Sequence, residues 1–309
     1  MPKRGFEEIR DRMLKSAKEG IKSAYQSEEY ALMQAVNAYN ETNRSFNLAY
    51  ERLGEWFGIY LPEVRMANPD TLARLVIAVK SNGRDKAAID GAVEEAEKAE
   101  EVYKKLESTI GREMQSGEGD AIADFAKLVL GMSESLKGID AYIKDAATRI
   151  MPNTTYLTDH MIAAELLGRA GSMERLATMP AGTVQLLGAE KALFKHIKFG
   201  SRPPKYGILF KIPEITNAQR EIRGRIARAY ATKICIALKA DHFSKNFIAE
   251  KLKSDLNASI KRIREAPIKP KKEAQDNGFE RKGFQRRMPG GRGFGRRKGG
   301  WRQNFRKKP

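Results

Sequence analysis

The sequence predicts an all-α protein: a long antiparallel coiled-coil arm, a compact helical domain and a disordered basic C-terminal tail. Three observations predict it. Apolar residues recur at steps of three and four through most of the first ~150 positions, the period of an amphipathic helix. Small-residue, glycine and proline clusters separate these runs. Beyond Ala266 the composition turns to basic residues, glycine and scattered aromatics, which cannot bury a core. The expected domains are 1–152 (arm), 153–265 (compact domain) and 266–309 (tail).

Residues 1–61 read as one long helix. Tyr25, Leu32, Val36, Tyr39, Phe46, Tyr50, Leu53, Phe57 and Tyr60 follow steps of three, four or seven, a coiled-coil seam. Asn43 falls on that seam, where it either fixes register or meets solvent. Pro62 ends the helix by forcing Leu61 out of helical geometry, and ~45 ordered residues would span roughly 65 Å. Trp56 and Phe57 read as the packed tip of a hairpin rather than a base-stacking platform. Asn68-Pro69-Asp70 starts a short helix from Thr71 to Lys80, and Ser81-Asn82-Gly83 turns the chain. Ile89, Ala92, Ala96, Ala99, Tyr103, Leu106 and Ile110 then form a second seam. Glu94, Glu95, Glu97, Lys98, Glu100 and Glu101 lie outside it; they alternate around an exposed face, so they read as solvated coil and not as a metal site. Ser116-Gly117-Glu118-Gly119 breaks that helix. Ile122, Phe125, Val129, Met132, Leu136, Ile139, Ile143, Ala146 and Ile150 keep the three-four rule throughout, and Met151-Pro152-Asn153 closes the arm. Two helices returning along the first leave surface for a second copy of the chain.

After a loop from Thr154 to His160, the compact domain runs to Asp241. Thr216 and Gln219 read as a capping box before a helix with Ile222, Ile226, Tyr230 and Ile234 on one face and Arg220, Arg223, Arg225 and Arg228 on the others. Gly224 inside it costs about 1 kcal/mol against alanine; close approach of RNA or of another helix would explain it. A last amphipathic helix covers 243–265 through Phe247, Leu252, Leu256, Ile260 and Ile263.

The formal charge of +18 over 309 residues calls for an acidic partner, nucleic acid or an anionic membrane. No apolar run approaches the ~20 residues of a membrane span. The N-terminus, MPKRGFEEIRDRM, has no apolar signal core, so a cytoplasmic protein is expected. Cys235 sits in an apolar helical pattern and reads as inert core. His160, His196 and His242 lie in no metal-ligand spacing and read as structural. The tail holds fifteen Lys/Arg and three acids, +12 of the +18. Its Gly293-Phe294-Gly295-Arg296-Arg297 and Gly299-Gly300-Trp301-Arg302 resemble RGG-type RNA-binding tails, in which arginine neutralises phosphate and aromatic rings stack on unpaired bases. The alternative is a basic tail serving solubility or nonspecific adhesion.

The densest punctuation and charge lie between Ala170 and Lys211. Two small-residue turns, Ala170-Gly171-Ser172 and Pro180-Ala181-Gly182-Thr183, lead into helical patterns. Gly188-Ala189-Glu190-Lys191 opens a helix through Ile197, Gly200 stops it, and Arg202-Pro203-Pro204-Lys205-Tyr206-Gly207 forms a stiff basic loop. Leu193 and Ile197 are expected inward, and Lys191, Lys195 and Lys198 outward. A helix start with small residues and a lysine row suits phosphate; an ordinary solvated lysine face fits the charges as well.

The residues Gln185-Leu186-Leu187-Gly188-Ala189-Glu190-Lys191-Ala192-Leu193-Phe194-Lys195, followed by Pro204-Lys205-Tyr206-Gly207, resemble the signature of the Nop domain. That domain belongs to the core proteins of box C/D ribonucleoproteins and to a spliceosomal relative. The run from Glu51 to Glu63 and the positions of Lys233 and Asp241 continue the resemblance, which covers about Tyr25 to His242. It implies a scaffold that binds a box C/D-type guide RNA at a kink-turn already held by a small ribosomal-protein-like kink-turn protein. It implies a homodimer through the coiled coil and support for fibrillarin, the enzyme that 2′-O-methylates ribose in rRNA or tRNA. By matching positions it places RNA contacts at Gln185, Gly188, Ala189, Glu190, Lys191 and Lys195, and also at Lys205, Arg220, Arg223 and Arg228. Glu190 is expected to orient Lys191 or a backbone N–H, or to accept from a base amino group. The basic character reads as archaeal rather than spliceosomal. The family's fibrillarin-recruiting N-terminal domain has no counterpart ahead of the arm, so another polypeptide supplies it, the enzyme docks on the arm, or methylation guidance is lost. No cofactor, metal set or catalytic constellation is expected. The competing reading is a general RNA-binding chaperone or pre-rRNA processing protein without methyltransferase recruitment.

Overall fold

Helices α1 (Lys3–Tyr25) and α2 (Glu28–Phe57) divide the single helix expected over 1–61. The computed structural model describes residues 3–83 and 85–266, so the basic tail and its RGG-like segments lie outside the described residues. The break at Gln26-Ser27 needs neither glycine nor proline. Ser27 takes extended backbone and its hydroxyl accepts from Glu29 N at 3.3 Å, while Glu28 and Glu29 complement the dipole of the new helix. Helix α2 is therefore ~45 Å long, shorter than the expected 65 Å. Tyr25 leaves the seam and is exposed.

The arm continues with α3 (Pro69–Asn82), α4 (Lys86–Ala92), α5 (Ala96–Glu107) and α6 (Ser116–Ile150). Asn68 caps α3 through Asp70 N at 2.9 Å. The helix expected over 89–110 is two helices, because the chain turns extended at Val93 and again at Glu95. Ile110 is almost fully exposed and Ala96 faces solvent; Val102 takes the buried place instead. The glycines at 117 and 119 do not separate two helices. They lie in the first turn of α6, whose buried face follows the expected positions, with Ile122, Val129, Leu136, Ile143 and Ala146 inside.

The arm runs antiparallel. Leu53 and Phe57 near the end of α2 share a core with Ile122, Ala126 and Val129 near the start of α6, joined by Leu72, Leu75 and Val76 of α3. Leu32, Met33 and Val36 at the start of α2 meet Ile143, Ala146 and Ala147 at the end of α6, and this proximal end is built into the core of the second region. Phe57 is buried and Trp56 packs on Phe125, as expected of a hairpin tip.

Beyond Met151 the chain forms α7 (Pro152–Leu157), α8 (His160–Ala170), α9 (Met173–Thr178), α10 (Ala181–Leu186) and α11 (Glu190–Phe199). A 3-10 turn (Ile208–Lys211), α12 (Pro213–Thr216), α13 (Arg223–Lys239), a π turn (Ala240–Ser244) and α14 (Ala249–Glu265) follow. The loop expected from Thr154 to His160 is mostly α7, with Pro152 at its first position, where the missing N–H costs nothing. Helix α13 is the hub. Ile226, Tyr230, Ile234 and Leu238 are fully buried, and α7, α9, α10, α12 and α14 pack around it. Cys235 is buried on its flank, and burial pushes the thiol above its ordinary range, the state of an inert core cysteine. His160 joins the regions: Nε2 lies 3.0 Å from Asp140 of α6 and Nδ1 2.9 Å from Asp159. No helix among the described residues is long and apolar enough to cross a membrane.

Candidate nucleic-acid interface

Two short segments build the platform. Gly207 N donates to Gln185 O at 3.0 Å and Ile208 N donates to Leu187 O at 2.8 Å, so 185–188 and 205–208 run side by side. The contact is too close for side chains at two positions. A Cβ on Gly207 would stand 1.9 Å from Leu187 O; one on Gly188 would stand 2.7 Å from Ile208 Cγ1, and Gly188 has φ +87. The Gln185 side chain is buried and donates to Lys205 O at 2.7 Å. Its amide thus shapes the basic loop from within.

The amides at the start of α11 are partly used within the fold. Gly188 N donates to Glu190 Oε1 at 2.6 Å and Ala189 N to Leu186 O at 2.8 Å. Glu190 thus accepts from a backbone N–H, one of the roles expected of it. Partial burial raises the Glu190 carboxyl, but the bonds from Gly188 N–H and its own N–H, with Arg169 near, together hold it below the usual carboxylate range. Helix α11 carries no side-chain cap. The Lys191 and Ala192 N–H groups, in its first turn, therefore have no intrahelical acceptor and keep the positive end of the dipole exposed.

Helix α11 departs most from expectation: none of its residues is buried. Leu193 and His196 are half-buried, but Ile197, expected inside, is 71% exposed, with Phe194 at 70% and Phe199 at 72%. Lys191, Lys195 and Lys198 form one stripe, and Phe194 and Ile197, three apart, form an apolar stripe beside it. Sequence reasoning missed these apolar residues because a stripe covered by its own protein and one left for a partner have the same period.

The arginines divide. The helix expected to begin at Arg220 begins at Arg223, and Thr216 ends α12 instead of capping α13; its hydroxyl turns back to Phe210 O and Ile212 O. Arg223 is committed to the fold: Nε donates to Ala218 O and Nη2 to Thr216 O, both at 2.8 Å, with the guanidinium over the Phe210 ring. Arg220 and Arg228 are exposed. In this structure Gly224 lies against the aliphatic stem of Lys205, whose Cδ would lie 3.3 Å from a Cβ there. Arg228, four residues on, shares that face. Among the described residues, Lys191, Lys195, Lys198, Lys205, Arg220, Arg225 and Arg228 have no carboxylate within ion-pair reach.

An all-helical protein with unpaired cations on a glycine-tightened platform is of the nucleic-acid-binding class. The family profile described as "Nop: snoRNA binding domain, fibrillarin" matches residues 38–262. The chain belongs to the Nop family, whose domain binds RNA. It is 32% identical over 271 residues to an uncharacterised NOP5 family protein of Methanocaldococcus jannaschii, covering 86% of this chain and 65% of that one. It is 32% identical over 222 residues to nucleolar protein 56 of Caenorhabditis elegans (69% and 46%) and 29% over 231 residues to that of Saccharomyces cerevisiae (72% and 46%). It thus spans less than two thirds of the length of these relatives. Among solved structures, a chain of a fibrillarin/Nop5p complex aligns with a TM-score of 0.45 at 24% identity, covering 85% of this chain and 81% of that one.

Proposed function

We propose that this protein is the scaffold of a box C/D-type guide ribonucleoprotein, gripping a kink-turn RNA together with the small protein already bound to it, and catalysing nothing itself. One observation carries the reading: α11 presents an unpaired lysine stripe and an exposed Phe194–Ile197 stripe side by side, on a helix with no fully buried residue. Phosphate suits the first and an apolar protein surface suits the second, so a joint RNA–protein surface uses both. Gly188, Ala189, Glu190 and Gln185 would set the helix start, Lys191 and Lys195 would meet phosphate, and Lys205, Arg220 and Arg228 would extend the track, with Arg223 holding the loop beneath. The arm leaves Leu48, Ile59 and Leu128 half or more exposed, surface for a second copy. Fibrillarin would be a further partner, held over the substrate by the assembled scaffold.

The test is binding to a kink-turn RNA with and without its small protein. The reading expects tight binding only to the preformed pair. Phe194→Ala with Ile197→Ala should abolish the gain the small protein gives, and co-purification should recover fibrillarin. Equal affinity for naked RNA and for the pair would favour the chaperone reading.

A further inference from the structure

We propose that the exposed aromatic residues at the other end of α13, the paired rings of Tyr156 and Phe247 and, four residues earlier on the chain, Phe243 against His242, are a second RNA contact that stacks unpaired bases. It rests on the RNA-binding character of the family and not on the kink-turn grip. Sixteen residues of helix, roughly 24 Å, separate Gly224 from this end, so the cluster is not part of the α11 platform.

The three rings are 51%, 62% and 56% exposed. Tyr156 and Phe247 meet edge to face, centroids 5.8 Å apart. The small core beneath is formed by Leu157, Ala237 and Leu252, with Ile248 packed against it. Their exposure does not come from a loose chain. The buried Asp241 carboxylate accepts from Asn153 N (2.9 Å) and Nδ2 (2.8 Å) and from Thr154 N (3.0 Å) and Oγ1 (2.7 Å). Asn153 also donates to Asn246 O at 2.9 Å and accepts from Ile248 N at 2.7 Å, gripping the backbone on both sides of Phe247. Lys245 N donates to Ala240 O at 2.7 Å, holding Lys245 at φ +56 between the two phenylalanines. Buried bonds thus fix the backbone that holds these rings half or more exposed.

The chemistry around the rings selects the partner. Residues 239–253 contain four lysines and two acids; of the acids, Asp241 is buried and consumed and Glu250 is exposed. On α7's side Asp159 is engaged by His160 and Met161 N. Rigid aromatic faces with lysines between and beside them fit bases on a phosphate backbone, because every base offers a π-face and phosphate seeks the cations.

The full chain should be titrated with short single-stranded oligouridine and with an RNA duplex. The basic tail is present in every variant, so differences report the rings. Phe243→Ala with Phe247→Ala should weaken oligouridine binding roughly tenfold and leave the duplex unchanged. Phe243→Leu with Phe247→Leu, which keeps the apolar area, should weaken it similarly. Lys191→Ala with Lys195→Ala should leave the ring-dependent loss intact, which separates this site from the α11 reading. Photo-crosslinking of 4-thiouridine RNA to the wild-type chain should map to 156 or 243–247, independently of how any variant folds. Wild-type binding by the leucine pair would mean an apolar protein dock, and absence of a crosslink there would mean no base contact; either overturns the proposal.

Discussion

The arm pairs many of its cations with acids, whereas the region built on α13 pairs few, among them Lys211 with Glu165 and Lys233 with Asp255. In the arm, lysines find acids on the same or a neighbouring helix: Lys98 with Glu95 (2.8 Å), Lys104 with Glu100 (3.2 Å), Lys105 with Glu101 (2.6 Å), Lys127 with Asp124 (2.8 Å) and Lys137 with Asp70 (2.7 Å). Around α11 and α13, Lys191, Lys195, Lys198, Lys205, Arg220, Arg225 and Arg228 find none among the described residues. Exposed pairs of this kind add about 0–1 kcal/mol each, so stability does not explain the difference. What differs is the field: the arm is locally neutralised, whereas the second region keeps its positive potential for an anionic partner.

The sharpest way to break this contrast uses two glycines that no side chain can replace. Gly207→Ala would set a Cβ 1.9 Å from Leu187 O, and Gly111→Ala, at the arm tip, would set one 2.1 Å from Tyr60 O. Each should lose about 2–4 kcal/mol in denaturant unfolding, since backbone must move. Only Gly207→Ala should also lose binding of the RNA–protein pair, because it parts the two segments that position Lys205 and α11. Equal damage to binding from Gly111→Ala would show that the arm tip shares in the contact.

Charge removal gives the next largest effect. Lys191→Ala with Lys195→Ala should weaken the complex by ~1–3 kcal/mol and lower the salt slope by about two contacts. Lys104→Ala with Lys105→Ala, removing the same formal charge from paired lysines, should do neither. Affinity measured across a salt series decides it: if the α11 variant matches wild type, its lysines are only a solvated face.

The architecture was open to sequence reasoning where burial imposes a period, as in α6, where all nine seam residues are buried or half-buried. It was closed where a local hydrogen bond outweighs that period. Ser27 cuts the first helix with one hydroxyl, and Thr216 turns back to Phe210 O instead of capping α13. The site divided the same way. Lys191, Lys195, Lys205, Arg220 and Arg228 stand exposed as the pattern suggests. Gln185 and Arg223 belong to the supporting bonds: a partner twenty residues away, as for Gln185, or in the irregular turn before the helix, as for Arg223, leaves no trace in helical spacing. The exposure of Phe194 and Ile197 is a property of what α11 does not pack against.

The smallest effect concerns two carboxylates that fasten backbone, one in each region. Glu190 accepts from Gly188 N, and Glu63, at the arm tip, accepts from Ile110 N at 2.9 Å and Thr109 Oγ1 at 2.8 Å. The Ile110 N–H bond is the chief cause holding Glu63 below the ordinary range; at Glu190 the backbone bonds prevail together over partial burial. A lowered folded value means each fastening is fully present above the ordinary glutamate pKa of about 4.3 and is lost as pH falls through the lowered one. The amide proton shifts of Gly188 and Ile110 should therefore stay flat from neutral pH to about 5 and move only at midpoints below ~4.3. If RNA engages α11, adding the RNA–protein pair should displace the Gly188 midpoint, since phosphate at the helix start raises the cost of the carboxylate's charge. Ile110 should not respond. A Gly188 midpoint that ignores the ligand while Ile110 shifts would move the anion-sensing end of the molecule from α11 to the arm.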